Sequence, residues 1–249
     1  MKRAGGYALA LVIALALWEA LVRLTGLPPF ILPGPGLVAG ALWLNAGLIA
    51  DNALVTFAEV LVGLALGAAL GAATALQLAA SPGLRTWVRP LLVFSQAVPV
   101  FALAPILTLW LGYGITSKIA MAVLIIYFPV TSSFLDGLLR TPRGYLDLAR
   151  VMGAGPGAVM WRLRVPHAIP ALGSGLRLAA VYAPIGAVIG EWVGASRGLG
   201  YLMLLANGRA QTALMFAALI VLALFTVALH RAVDLAATRL AARFDPGAG

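Results

Sequence analysis

The chain has 249 residues, of which 62% are apolar and only 10% are charged, and its formal net charge is +9. This composition and a mean hydropathy of +1.01 exclude an ordinary soluble globular domain. The basic residues stand in short loops between apolar runs, so the positive charge does not indicate a nucleic-acid partner. Because the chain has no cysteine, disulfides and thiolate metal sites are excluded.

Six apolar runs of about 20 residues follow one another, and each has the length that crosses a bilayer core as a helix. The predicted spans cover residues 7–25, 54–79, 90–111, 117–136, 172–194 and 211–231. Met-Lys-Arg leads into the first run as into a signal peptide, but the run extends past a normal signal core, and we predict an uncleaved span. The sequence predicts an all-α membrane protein of about six helices, with residues 1–249 forming one transmembrane domain.

The loop charges predict the orientation of these spans. Twelve bases fall on one side: Lys2, Arg3, Arg85, Arg89, Arg140, Arg143, Arg150, Arg162, Arg164, Arg231, Arg239 and Arg243. Three fall on the other side: Lys118, Arg197 and Arg209. Because cytoplasmic loops carry the excess of Lys and Arg, both termini and the loops 80–89 and 137–170 are predicted to be cytoplasmic.

Three glycines repeat every four residues in the second span, at Gly63, Gly67 and Gly71. They share one helix face and leave it smooth, which allows a second helix to approach closely. We interpret this face as a site of helix packing.

Prolines interrupt three of the predicted spans. Pro99 and Pro105 lie in the third, Pro129 in the fourth and Pro184 in the fifth. The polar side chains beside these breaks are Ser95, Gln96, Tyr127 and Tyr182. Proline frees backbone carbonyls, and membrane proteins accept this where a cavity or a neighbouring helix supplies partners. The pattern fits a translocation pathway, and it equally fits the kinks of an ordinary helix bundle.

Two acidic residues lie in spans and are candidates for function, since burying a charge in a membrane is costly. Glu59 lies just inside the second span, and Glu191 lies at the outer end of the fifth, before Trp192. Glu191 has three possible roles: it forms an ion pair, it lies at a solvated helix end, or it lines the wall of the pathway. Together with Ser95, Gln96, Tyr127 and Tyr182, Glu191 completes the set of candidate wall residues.

The sequence contains no motif for nucleotide hydrolysis and no constellation for catalysis. No Gly-Lys pair occurs, so a phosphate loop is absent, and no His/Cys/Asp cluster has metal-ligand spacing. We therefore predict a protein that is not an enzyme and binds no cofactor or metal itself. Transport against a gradient would need energy from a partner or from an ion gradient.

The loop of about 140–168 has an organised pattern. Apolar residues recur at helical spacing at Tyr145, Leu148, Ala149 and Met152, whereas charged residues stand between them. Asp147 is placed to pair with Arg143 or Arg150. Gly153 breaks this helix as a hinge, and Pro156 begins a second short helix that Pro166 ends. A stripe this short needs a surface to bury against.

This loop resembles the cytoplasmic coupling loop in the permease subunits of bacterial ABC importers. That motif reads Glu-Ala-Ala, three residues, Gly, nine residues, then Ile-x-Leu-Pro. The corresponding residues here are Asp147, Leu148, Ala149, Gly153, Leu163, Val165 and Pro166. The spacing is intact through both gaps, and the larger Leu148 side chain is the main departure.

Further segments resemble one branch of these permeases, the nitrate, sulfonate and taurine branch, which also includes permeases for thiamine-precursor pyrimidines. The matching segments are 31–35, 99–114 and 191–200. Residues 206–216 are closer to the pyrimidine members.

The resemblance implies a type I importer permease fold in the bacterial inner membrane. Two permease copies, expected to be identical, would form the pathway, and two copies of an ABC ATPase would use ATP and Mg and receive the coupling loops. A periplasmic or lipid-anchored binding protein would deliver a small polar or anionic solute. Tyr145 and Met152 would then be contacts to the ATPase.

Two other functions remain open from the sequence. In an ion-coupled secondary carrier, the loop would be a plain connector. Such carriers often show inverted repeats and acidic residues in mid-membrane, and this sequence shows neither clearly. A membrane scaffold would need no polar pathway. Co-purification of a stoichiometric ATPase separates the importer from both.

Overall fold

The computed structural model describes residues 2–244, and over this range the chain is helical with short connections. The eleven α-helices and one π-helical turn of this range are α1 (Lys2–Thr25), α2 (Pro35–Leu44), α3 (Ala46–Ala80), α4 (Pro82–Ser95), α5 (Val100–Leu111), α6 (Ile115–Leu139), α7 (Arg143–Val151), α8 (Pro156–Val159), the π turn (Met160–Arg164), α9 (Val165–Gly194), α10 (Leu199–Gly208) and α11 (Thr212–Ala242). The prediction of an all-α protein is confirmed.

Four helical segments of the described range are long and apolar enough to cross a membrane: α3, α6, the continuous run Pro156–Gly194, and α11. The pair α4 and α5 makes a fifth span if it is counted as one. Helix α1 contains the first predicted span but is not among these segments, so the predicted count of six stays a prediction. The observed helices also run longer than predicted, since α11 continues to Ala242 and the fifth predicted span begins at Pro156.

The third predicted span is broken, and the helices on either side of the break meet at 100°. Helix α4 ends at Ser95, and Pro99 is the residue that precedes α5. Proline has no N–H and disfavours helix in the residue before it, which explains a break at this point. Pro105, in contrast, lies inside α5.

Two other predicted interruptions are wrong, because α6 continues through Pro129 and α9 continues through Pro184. Both helices lie in the core of the bundle. Pro184 is buried, and Gly175 of α9 brings that helix close to the Pro129 carbonyl of α6. Each proline removes one backbone hydrogen bond from its helix, and close packing against the neighbouring helices keeps the helix continuous at that point.

Helix α6 is packed between α3 and α9 through small residues. A β-carbon built on Gly63 would lie 2.6 Å from the Ala122 Cβ, and one built on Gly67 would lie 3.1 Å from the Ile126 Cβ. A β-carbon at Gly71 would meet the Val130 Cβ at 3.0 Å. The predicted glycine face is thus confirmed as a packing face, and it fixes the distance between α3 and α6.

Helix α9 also packs closely against α6 through a glycine, on the other side of α6. A β-carbon at Gly186 would stand 2.8 Å from the Ala122 Cα, so Ala122 is enclosed by glycines of both neighbours. Four alanines of α9 are fully buried in this core: Ala179, Ala180, Ala183 and Ala187. The three helices therefore move as a closely packed unit unless side chains are displaced.

We predict that Gly63→Ala lowers the free energy of unfolding by about 1–3 kcal/mol, because its methyl group has no space beside Ala122. Gly47→Ala is the control, since Gly47 lies in the same helix with nothing within 4 Å of a built β-carbon. That change should be neutral or stabilising by up to about 1 kcal/mol. Titration of both variants with SDS in mixed micelles measures the difference, and equal effects would contradict the packing role.

Candidate coupling loop and cap network

Helix α7 presents an apolar surface to the outside of the chain. Tyr145, Leu148 and Met152 are 60%, 58% and 76% exposed, and Val151 beside them is 87% exposed. Ala149, the fourth residue of the predicted apolar stripe, is 7% exposed.

Asp147 pairs with Arg150, one of its two predicted partners. The Arg150 Nη1 atom donates a hydrogen bond to the Asp147 Oδ1 atom at 3.0 Å. Both side chains are more than half exposed, and a pair of this kind contributes about 0–1 kcal/mol. The carboxylate is thus held in place weakly and stays accessible to other groups.

Gly153 ends α7 with a positive φ of 74°. The Gly153 N–H donates to the Arg150 carbonyl and the Ala154 N–H to the Ala149 carbonyl, each at 2.9 Å. This is the Schellman arrangement, in which one left-handed residue closes a helix with two backbone hydrogen bonds. The helix break that was predicted at Gly153 is present, but two backbone hydrogen bonds close it, so it lacks the geometry of an open hinge. We call this hydrogen-bonded turn the closed joint.

The second helix begins at Pro156, as predicted, but it does not end at Pro166. The chain passes from α8 through the π turn, where the Val165 N–H donates to the Met160 carbonyl, and continues as one helix to Gly194. The wider π turn accommodates Pro166, which has no N–H and would crowd an ordinary α-helical turn. Leu163, Val165 and Pro166 are half-buried, and Val165 packs against the core at this end of the bundle.

At the opposite end of α3 and α9, Glu191 caps the first turn of α10. Its Oε2 atom accepts hydrogen bonds from the N–H groups of Gly200 at 2.5 Å and Tyr201 at 3.4 Å. Its Oε1 atom accepts one from the Thr56 hydroxyl at 2.6 Å. A carboxylate here satisfies the N–H groups that every helix start leaves open and complements the helix dipole.

Two further groups from α3 complete this arrangement. The Thr56 Oγ1 atom accepts a hydrogen bond from the Leu199 N–H at 2.7 Å, and the Asn52 Oδ1 atom accepts one from the Gly198 N–H at 2.8 Å. Gly198 has a φ of 120°, and a β-carbon there would overlap the Glu191 carboxylate. We call Asn52, Thr56 and Glu191 the cap network; all three are buried.

A buried ion pair lies in the same region of the chain. The Lys118 Nζ atom is 3.4 Å from the Glu59 Oε1 atom, and the two side chains are 8% and 1% exposed. The prediction that Lys118 is an external loop base is therefore wrong, because it belongs to α6 and points into the bundle. Glu59, a functional candidate from the sequence, has this lysine as its ionic partner. Two loop bases, Arg197 and Arg209, remain on the predicted outer side.

The candidate wall residues occupy different surroundings. Ser95 and Gln96 are exposed at the end of α4 and bonded to each other, with 3.2 Å between the Gln96 Nε2 and Ser95 Oγ atoms. The Tyr127 hydroxyl donates to the Thr74 Oγ1 atom at 2.9 Å, and Tyr182 is 42% exposed on α9. Glu191 is 1% exposed, which excludes a solvated helix end. Their contact with a solute stays a prediction.

Comparison with known proteins now decides the family. Residues 63–245 match the family model of the binding-protein-dependent transport system inner membrane component. The chain belongs to this family. A probable ABC transporter permease protein of Haemophilus influenzae is 47% identical over 222 residues, covering 89% of this chain and 91% of the relative.

Two more relatives of the permease carry substrate names. The formylaminopyrimidine transport permease protein ThiX of Halalkalibacterium halodurans is 41% identical over 191 residues, with 76% of each chain covered. The riboflavin transport system permease protein RibX of Chloroflexus aurantiacus is 37% identical, and the match covers 90% of this chain and 85% of the relative. The predicted importer branch is confirmed, since the taurine transport system permease protein TauC of Escherichia coli matches as well.

A solved structure shares the permease fold. A chain of the MetNI methionine ABC transporter in an inward-facing conformation has a TM-score of 0.62, with 20% sequence identity. The match covers 80% of this permease and 97% of that chain. The predicted fold class is confirmed, and the permease is a multi-pass membrane component of an ABC importer. Its family implies an ATPase and a substrate-binding protein as partners.

The sequence alone did not reveal the cap network. Thr56 and Asn52 resemble any polar residue within a helix, because their partners lie 143 and 146 positions away in the chain. A local signal did exist in Gly198-Leu199-Gly200, where two glycines flank a helix start and allow a close approach. Lys118 was missed because a lysine three residues into a helix looks like a loop base.

We predict that Thr56→Val destabilises the permease by about 1–3 kcal/mol, since it leaves the Leu199 N–H and a Glu191 oxygen without this partner. Amide hydrogen exchange should accelerate across residues 198–204. Thr226→Val is the matched control, because the Thr226 hydroxyl bonds only to its own helix, at the Leu222 carbonyl. Unchanged exchange at α10 in Thr56→Val would contradict its role as a cap.

Proposed function

We propose that this permease forms, as a dimer of two identical chains, the membrane pathway of an ATP-driven importer and is coupled through residues 140–168 to two copies of an ABC ATPase. The observation that carries the proposal is the outward apolar surface of α7, which a short connection closed by two backbone hydrogen bonds joins to a helix long enough to cross the membrane. The permease has no catalytic role in this scheme. ATP and Mg are used by the partner ATPase.

The apolar surface of α7 supports an ATPase contact at this place. Tyr145, Leu148 and Val151 stand exposed on a helix of nine residues, and Met152, which directly follows this helix, is exposed beside them. Large exposed side chains of this kind are typical of interaction sites, and Tyr and Met suit an interface because they offer much contact area. Asp147, exposed on the same helix, is available for a charged partner of the ATPase.

The continuity of residues 156–194 provides the route for transmission. A displacement of α7 passes through the closed joint at Gly153 to Pro156, and from there along a single helix to Glu191. Glu191 holds the start of α10, so movement of α9 at one face is transferred to α10 at the other. Rigid-body movement of packed helices is a common form of such coupling.

We assign Glu191 a positioning role in the pathway, since its oxygens bond to Thr56 and to the start of α10. The candidates for direct contact with the solute are Ser95, Gln96, Tyr127 and Tyr182. The exposed pair Ser95 and Gln96 lies beside the 100° bend between α4 and α5, where broken helices of transporters commonly place polar groups. The bacterial inner membrane, with both termini cytoplasmic, is the expected location.

The solute class proposed is a small polar or anionic compound, and a thiamine-precursor pyrimidine is favoured over taurine, sulfonate or nitrate. Support comes from the graded similarity of the relatives. The formylaminopyrimidine permease is 41% identical, whereas the taurine permease is 28% identical and a putative aliphatic sulfonate permease of Bacillus subtilis is 27% identical. Selection of the solute belongs mainly to the separate binding protein.

Reconstitution with the ATPase and the binding protein tests this function. We expect liposomes containing all three to accumulate labelled formylaminopyrimidine in an ATP-dependent manner, at a rate above that for labelled taurine. Liposomes lacking the ATPase are the control. Uptake that needs an ion gradient and no ATP would instead establish a secondary carrier, and preferential uptake of taurine would overturn the choice of solute.

We predict that Gly153→Asp leaves membrane insertion and ATPase capture intact but uncouples transport from ATP hydrolysis. The substitution places a negative charge at the C-terminal end of α7, where it opposes the helix dipole. Gly153→Asn is the matched control, because Asn has the same shape, tolerates this φ and carries no charge. Normal transport by Gly153→Asp, measured per ATP hydrolysed, would contradict the coupling role.

A further inference from the structure

A groove of about 730 Å³ lies between the end of α3, the start of α4 and the candidate coupling loop. One part of its wall is apolar and includes Leu76, Leu139 and Met160. The other part carries three arginines, Arg85, Arg150 and Arg164. The groove is thus cationic on one side and apolar on the other, at the end of the bundle that the charge bias places in the cytoplasm.

Arg164 is the most constrained of the three arginines. Its Nη1 atom donates to the Ala79 carbonyl at 3.3 Å, which fixes the guanidinium at the last turn of α3. Its Nε–H is buried and has no hydrogen-bond partner within the described residues. A buried charged donor without an acceptor is costly, so this N–H indicates a place for an acceptor from outside the chain.

The charges around the groove also favour an anion. None of the residues that line the groove is acidic. Of the three groove arginines, Arg150 forms a salt bridge, with Asp147. Arg85 and Arg164 have no salt bridge among the described side chains. The start of α4, at Pro82, lies on the same wall and adds the positive end of a helix dipole.

We propose that this groove binds the phosphate headgroup of an anionic phospholipid, with its glycerol and acyl chain along the apolar wall. Arg164 and Arg85 would donate to the phosphate oxygens. Basic pockets beside membrane-spanning helices on the cytoplasmic side are suited to such headgroups. The proposal rests on the proposed function only for the cytoplasmic position of the loop.

The dimensions of the groove favour a lipid over a single carboxylate of the ATPase. An Asp or Glu side chain would meet the arginines but would leave most of the 730 Å³ and its apolar wall uncovered. Trp161, 63% exposed on the rim, is the residue type that lies at the boundary between headgroups and acyl chains. Bound there, the lipid would touch both α3 and the turn that joins α8 to α9, so membrane composition would act directly on the loop.

Native mass spectrometry of the full-length chain tests the proposal. The purified chain is mixed with separately purified ATPase and equilibrated with equal amounts of phosphatidylglycerol and phosphatidylcholine, and the ratio of the two bound lipids is measured. We expect a preference for phosphatidylglycerol that falls about five-fold in Arg164→Gln and in Arg85→Gln, the effect of one basic residue near a lipid surface. Arg164→Lys, which keeps the charge, should retain most of the preference.

Arg162→Gln is the matched control, because Arg162 lies in the same π turn, is exposed and does not line the groove. Its lipid preference should equal that of the unchanged chain. An unchanged preference in Arg164→Gln, or none in the unchanged chain, would overturn the proposal. Displacement of phosphatidylglycerol by inorganic phosphate would assign the groove to a free anion instead.

ATPase capture, measured on the same samples, separates this proposal from the proposed function. If Arg164→Gln weakens capture while the lipid ratio stays constant, the groove binds an acidic group of the ATPase and the lipid assignment is wrong. If the unchanged chain captures no ATPase but keeps its lipid preference, the importer function fails and the lipid site stands.

Discussion

Polar groups buried inside a membrane-spanning bundle have no water to bond to, so each must find its partner within the protein. In this permease most of these groups are paired where α3, α6, α9 and α10 come together, and the Glu59 Oε2 atom is the one there without a partner among the described residues. Glu191 closes the start of α10 with Thr56 and Asn52, and Lys118 compensates Glu59. The glycine faces of α3 and α9 make these contacts possible, because they bring the backbones close enough for short side chains to reach across.

Helix α9, which carries one of these buried groups, connects the two ends of the molecule. Helix α9 carries Glu191 near its last turn, and its first turn is continuous with the π turn that follows the candidate coupling loop. The bundle is closely packed where Gly63 and Gly186 meet Ala122, and close-packed interiors transmit strain. In the proposed function, coupling between the faces would then need no special pathway of residues, since one long helix with a hydrogen-bonded contact at each end would be enough.

Local pattern predicted much of this architecture. The spacing of Gly63, Gly67 and Gly71, the break before Pro99 and the start at Pro156 all depend on neighbours within a few residues, and the structure confirms them. The features that failed depend on distant partners. Thr56 meets Glu191 across 135 positions, and Lys118 is buried only because Glu59 lies opposite. Pro129 and Pro184 were expected to break helices, but core packing outweighs the lost hydrogen bonds.

The proposed coupling role requires the connection at Gly153 to be stiff rather than flexible. Coupling free energies between sites are about 1–3 kcal/mol, so a connector that yields for less than that would absorb the signal. Two backbone hydrogen bonds at about 0.5–1.5 kcal/mol each are of the same order, and would be marginal alone. The Ala149 carbonyl accepts one of these two bonds, from the Ala154 N–H. In the proposed coupling, a change that breaks this pair of bonds would therefore weaken the transmission of movement from α7 to the helix that begins at Pro156.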